Sequence, residues 1–207
     1  MKIGWISLGC PKNQVDTDYM IGFTERAGFT TTAQPEEADV LVINTCSFIE
    51  SATQESIDTI LEFVAYKEKQ CRLLVVVGCL PQRYGRELSK ALPEVDLWLG
   101  TGEYSRLPEL VSAALEKQGT EQFFAAAPAG WLPSAQMERA LSTPPHLAYV
   151  KIAEGCSHQC LYCIIPQLKG DYRSREPESI EAEVKNLLQI LFTMLYMQPP
   201  VDRKSTR

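Results

Sequence analysis

The sequence predicts an α/β protein that opens with a doubly wound parallel sheet. Three observations point there. Short apolar runs at residues 2–8, 40–43, 73–77 and 97–99 end at glycine or polar residues, as strands do. Stretches of helical periodicity separate them. The runs at 40–43 and 73–77 are apolar at every position, the pattern of strands buried on both faces beneath covering helices. At 207 residues the chain has room for one domain and part of a second.

Taken in order, residues 2–8 form a strand stopped by Gly9. A helical spread follows with Val15, Tyr19, Ile21, Phe23 and Ala27. The acidic turn Glu36-Glu37-Ala38-Asp39 leads into the strand at 40–43. Ser47 and Glu50 have the spacing of a capping box, and the helix behind them carries Ile57, Ile60, Leu61 and Val64 on one face. The strand at 73–77 ends at Gly78. A short helix, a strand at 97–99 and a helix with Leu107, Leu110, Val111, Ala114 and Leu115 on one face complete the first domain, residues 1–118. Residues 119–146 change character, with Ala125-Ala126-Ala127-Pro128-Ala129-Gly130, Pro133 and Pro144-Pro145, and are expected to be a linker. A strand is expected at 147–152, then a cysteine-rich loop. A helix starting at Pro177 carries Ile180, Val184, Leu187, Leu188 and Leu191, and a polar tail follows from 198.

Composition narrows the function. Twenty-six acidic against 20 basic residues give a net charge of −6, a poor match for a protein that coats nucleic acid. The longest apolar run, 187–197, is interrupted by Gln189 and Thr193 and falls short of the ~20 residues a bilayer span needs. The N-terminus lacks the long apolar core of an export signal. The expected location is therefore cytoplasmic, with no membrane partner. There cysteines stay thiols and serve more often as metal ligands or catalysts than as disulfides.

Seven cysteines are then the feature to explain. Cys156, Cys160 and Cys163 form C-x-x-x-C-x-x-C, a spacing that can hold three irons of a [4Fe-4S] cluster and leave the fourth open. A zinc site with His158 as fourth donor is the alternative, although zinc modules favour separated C-x-x-C pairs. Cys10, Cys46 and Cys79 each lie just past the end of an expected parallel strand. All such ends share one edge of a parallel sheet, so these cysteines can converge on a second cluster. Three buried apolar cysteines are the alternative. Cys71 precedes its strand, at the opposite edge, and is read as a non-ligand.

Cys160-Leu161-Tyr162-Cys163, within the longer cysteine motif, resembles the signature of radical S-adenosylmethionine enzymes. Ser7-Leu8-Gly9-Cys10-Pro11-Lys12-Asn13, Asn44-Thr45-Cys46-Ser47-Phe48-Ile49, Val77-Gly78-Cys79 and Gly170-Asp171-Tyr172-Arg173-Ser174-Arg175 resemble segments of the methylthiotransferases. The residues around Cys10 and Cys46 are most similar to the branch that modifies an aspartate of a small-subunit ribosomal protein. The transfer-RNA branch and a non-catalytic binding module are the alternatives.

The resemblance implies two [4Fe-4S] clusters. One would be held by Cys156, Cys160 and Cys163 and bind S-adenosylmethionine, with Tyr162 near the adenine. The other, on Cys10, Cys46 and Cys79, would carry the sulfur to be delivered. An external electron donor would reduce the first cluster, and the radical formed from the cofactor would take a hydrogen from the aspartate β-carbon. The ribosomal protein would be the partner, without direct nucleic-acid binding. Asn13 and Asn44 would support the clusters or cap turns, and Arg173 and Arg175 would contact substrate or cofactor or stand as solvated charges. The resemblance also implies that residues 147–191 are the first strand-loop-helix unit of a truncated partial TIM barrel. Residues 192–207 depart from the family, so the chain is expected to be truncated and inactive alone, with the apolar face of 180–191 exposed.

Overall fold

The computed structural model describes residues 1–116, 122–144 and 146–196. Among these, β1 (Lys2–Ser7), β2 (Thr30–Thr32), β3 (Val40–Thr45), β4 (Leu73–Gly78), β5 (Leu97–Leu99) and β6 (Phe123–Ala125) form one sheet. Its order is β2-β1-β3-β4-β5-β6, and every pairing is parallel. The helices α1 (Pro11–Arg26), α2 (Glu50–Val64), α3 (Cys79–Ala91) and α4 (Leu107–Glu116) cover it.

Side chains alternate across the strands and divide the core in two. Ile3, Val40, Val42, Val75 and Leu99 face Met20 of α1 and Leu107 and Val111 of α4. Leu41, Ile43, Leu74, Val76 and Trp98 face Ile60 of α2 and Leu80 of α3. Every residue of β3 and β4 is buried, which accounts for the unbroken apolar runs at 40–43 and 73–77. Each large core side chain contributes roughly 1.5–3 kcal/mol by leaving water. The helix after β1 lies on one face and the helix after β3 on the other. The ends of these neighbouring strands therefore diverge and open a crevice, the place where doubly wound sheets bind ligands.

Beyond the sheet, β7 (Ala153–Glu154) and β8 (Arg173–Ser174) make a short antiparallel pair around the cysteine loop, with α5 (Ile165–Lys169) between them. The long α6 (Pro177–Tyr196) follows.

Five details depart from the sequence expectations. Helix α1 begins at Pro11 rather than near Val15, since proline at the first position needs no hydrogen-bond partner. The capping box at Ser47 does not form. Helix α2 starts at Glu50 with Ile49 as its cap, and the Ser47 hydroxyl is buried without a partner. No strand forms at 147–152; the short β7 lies just beyond that range and, among the described residues, pairs only with β8. The expected linker supplies β6, which takes the free edge of β5 through Leu97–Phe123, Trp98–Phe124 and Leu99–Ala125. Local composition does not reveal such an edge pairing. On α6, Val184 and Leu188 are exposed as expected, but Leu187 is buried. The polar tail from 198 lies outside the described residues.

Candidate metal centre

Cys10 immediately precedes α1, Cys46 follows β3, and Cys79 is the first residue of α3 directly after β4. The sheet brings these positions, 36 and 33 residues apart in sequence, to one edge. All three line one cavity of about 250 Å³, bounded also by Asn13, Phe48, Glu154, Leu168 and Lys169. Cys46 and Cys79 are buried and Cys10 is exposed at the mouth.

Two glycines permit the approach. Gly9 has φ +87°, and a Cβ there would sit 2.7 Å from Cys46 Cβ. Gly78 has φ +102°, and its Cβ would lie 2.7 Å from the Thr45 carbonyl oxygen. Both the conformation and the contact exclude a side chain at low cost. Asn13 Nδ2 donates to Leu8 O at 3.1 Å and to Thr45 O at 3.0 Å, tying the Cys10 loop to the Cys46 loop. Asn44 Nδ2 donates to Asn13 O and to Thr17 Oγ1, both at 2.9 Å. Ser56 Oγ accepts from the Cys46 amide at 3.1 Å and donates to its carbonyl at 2.8 Å. These polar side chains hold the backbone of the loops that carry the three cavity-lining cysteines.

The electrostatics favour an anionic occupant. The amino ends of α1 and α3 open at Cys10 and Cys79, and their aligned peptide dipoles place partial positive charge there. Burial pushes the Cys79 thiol up to about 11, and Lys169 opposes that rise. Lys169 is itself buried, 3.2 Å from Asp16 Oδ2 and 3.9 Å from Glu154 Oε2. Lys151 Nζ, also buried, bonds Asp16 Oδ1 and lies 2.7 Å from Glu154 Oε2, and Lys12 Nζ reaches Glu154 Oε1 at 3.0 Å. Burial alone would raise the Glu154 carboxyl, but Lys151 and Lys169 outweigh it and hold the group at about 2. The Lys169 ammonium is disfavoured by burial, yet nearby Tyr104, Asp16, Cys79 and Glu154 hold its pKa well above the usual lysine value.

Three soft thiols without a fourth cysteine suit iron–sulfur ligation with one iron left open. Among the described residues no three Cys, His, Asp or Glu side chains close on a single point, as a lone ion would require.

The second cysteine set lies on the loop between β7 and α5. Its base is closed where the Cys156 amide donates to Gly170 O at 3.0 Å, and the Cys163 amide turns back to Cys160 O at 3.0 Å. Cys156 and Cys163 are half-buried, while Cys160 and His158 are exposed. Tyr162, expected near a cofactor, is 92% exposed. From this loop α5 packs back against the sheet domain, where Thr101 Oγ1 donates to Leu168 O at 2.6 Å. The last turn of α5 thereby becomes a wall of the first cavity.

Arg173 and Arg175 have other work than the sequence suggested. Arg175 is buried, paired with Glu183 and donating to Lys151 O at 2.9 Å. Arg173 donates to Asp171 O at 2.8 Å and to Lys169 O at 2.9 Å. Cys71 is buried away from the site, with its thiol on Leu73 O at 3.3 Å. Sequence reasoning missed Lys12, Asp16, Lys151, Glu154 and Lys169. The available signal was on α1, where Asp16 and Asp18 lie between Val15 and Tyr19 and leave the helix no clearly solvated face.

Among the described residues no helix is long and apolar enough to cross a membrane. Residues 2–100 match the model described as Uncharacterized protein family UPF0004. The chain is similar to proteins named ribosomal protein uS12 methylthiotransferase RimO. With that of Citrifermentans bemidjiense it shares 47% identity over 189 residues, 91% of this chain and 42% of the relative. The Akkermansia muciniphila protein is 45% identical over 195 residues, 91% of this chain and 43% of its own. The Desulforamulus reducens protein is 48% identical over 188 residues, 90% and 42% respectively. This chain thus spans less than half the length of these relatives. Over about nine tenths of its own length the chain is similar to the RimO methylthiotransferases.

Proposed function

We propose that this chain carries the cluster-binding part of a radical methylthiotransferase that adds a methylthio group to the β-carbon of an aspartate in a small-subunit ribosomal protein. The observation that carries this reading is the convergence of Cys10, Cys46 and Cys79, from three separate strand ends, on one cavity. In this reading they hold an auxiliary [4Fe-4S] cluster, and Cys156, Cys160 and Cys163 hold the cluster that binds S-adenosylmethionine. Residues 1–118 form the auxiliary domain together with β6, the rest of 119–146 connects, 147–191 begin the S-adenosylmethionine domain, and 192–207 diverge. The work takes place in the cytoplasm with an external electron donor, and the protein substrate is contacted without direct nucleic-acid binding.

When bound, the two clusters and S-adenosylmethionine supply the one-electron chemistry that opens a C–H bond and the sulfur that fills the position. The chain's residues hold and shield them. Gly9 and Gly78 let the loops close, Asn13 and Asn44 fix their spacing, and Leu168 and Phe48 keep water from the buried thiols. Cys79 gives up its proton to become a ligand, which compensates for a thiol that burial otherwise keeps protonated. Tyr162 stands free beside the second set to stack on the adenine of the cofactor.

Anaerobic reconstitution tests the assignment. The chain should take up about eight irons as two clusters, and Cys79→Ala about four. Stoichiometric zinc without iron, or unchanged iron in Cys79→Ala, would overturn it.

A further inference from the structure

The charged residues beside the first cavity are not equivalent. Lys151 is bonded to both buried carboxylates and does not line the cavity. Lys12 is half-exposed, so solvent screens it. Lys169 alone is a buried cation that forms part of the cavity wall, with its carboxylate contacts at the longer distances of 3.2 and 3.9 Å. Buried charge acts through a lower effective dielectric than charge in water. Asp16 and Glu154 balance Lys151 and Lys169 one for one, so the network is neutral before the half-exposed Lys12 is counted. Three thiolates add negative charge beside it, and an electron added to a cluster adds more.

We propose that Lys169 is a positioning residue for the three-cysteine site, whose fixed positive charge offsets the negative charge of a thiolate-bound cluster and raises its reduction potential. The inference rests on the cluster assignment of Cys10, Cys46 and Cys79. The mutual electrostatic influence of Lys169 and the Cys79 thiol agrees with it. So does the placement of Lys169 at the end of α5, which ties the charge to the docking of the second cysteine loop.

The test uses the 207-residue chain carrying Cys156→Ser, Cys160→Ser and Cys163→Ser, so that only the first site reports. After reconstitution, iron content and the electron paramagnetic resonance of the dithionite-reduced protein are followed against solution potential. Adding Lys169→Met should leave iron content near about four per chain. It should raise the oxidised-to-reduced ratio at fixed potential roughly tenfold, about 59 mV for one electron. Lys169→Arg, which keeps the charge, should restore the parent value. Glu154→Gln, which removes a counter-charge, should shift the potential upward, and it decides the matter should Lys169→Met fail to fold. An unshifted potential in Lys169→Met, or a downward or absent shift in Glu154→Gln, overturns the role of Lys169 while the cluster assignment stands. A parent chain that takes up no iron overturns the assignment and this inference together.

Discussion

Each cysteine set offers three thiols, but the two are held by different means. Cys46 and Cys79 follow strands whose every residue is buried, Cys10 follows the partly buried β1 beside them, and polar side chains clamp the loops between them. Cys156, Cys160 and Cys163 share one ten-residue loop that is fastened at its base and open at its tip. A parallel sheet fixes distant residues to within the tolerance of its register, so the sheet itself brings the first set together. A loop closes on itself at little entropic cost, but its tip is shaped by what it binds. The first set is therefore expected to be sensitive to changes in its backbone, and the second to be less so.

The two regions are joined by buried charge, and the largest effect is expected there. Asp16, fully buried on α1, bonds both Lys151 and Lys169 from the far end of the chain. Removing one member of a buried pair leaves an uncompensated charge, at a cost of about 3–5 kcal/mol. Asp16→Ala should release residues 151–169 from the sheet domain and lower the unfolding midpoint in urea accordingly. Hydrogen exchange would locate the loss, with β7 and α5 exchanging faster and β3 and β4 unchanged. Equal loss of protection in the central strands would mean that the two regions fold as one unit.

The difference between the regions also governs what the sequence revealed. The strands β3 and β4 were legible because burial on both faces leaves an unbroken apolar run. The convergence of Cys10, Cys46 and Cys79 was legible because parallel connection forces all strand ends to one edge. The edge strand β6 was not, since Phe123–Ala125 is defined by its partner β5 rather than by its own composition. Nor was the wall of the site. Lys151, Glu154 and Lys169 lie more than 130 residues from Asp16, and nothing local marks a lysine that will be buried against a distant carboxylate. Periodicity reports which face of an element is apolar, and ion pairs across a docking surface leave no such period.

An intermediate effect is expected at Gly78. Its φ of +102° is reached easily only by glycine, and a methyl group would sit 2.7 Å from the Thr45 carbonyl. Gly78→Ala should cost about 1–3 kcal/mol through backbone strain. It should also displace Cys79, so iron uptake at the first site should fall further than the loss of stability explains. Normal iron content in a folded Gly78→Ala protein would show that the first site is as adaptable as the second.

The smallest effect is expected at Tyr162, and it sharpens the comparison most directly. The side chain is almost wholly in solvent at the tip of the second loop, so it contributes almost no burial to the fold. Tyr162→Ala should change the unfolding free energy by no more than about 0.5 kcal/mol, the usual range for an exposed surface position. The same substitution should weaken S-adenosylmethionine binding to the reconstituted chain, read by isothermal calorimetry, because the aromatic face that would stack on the adenine is gone. A stability loss well above that range would mean the loop is already packed as firmly as the strand ends. Unchanged binding, with unchanged stability, would leave the cysteines of this loop as its only functional residues.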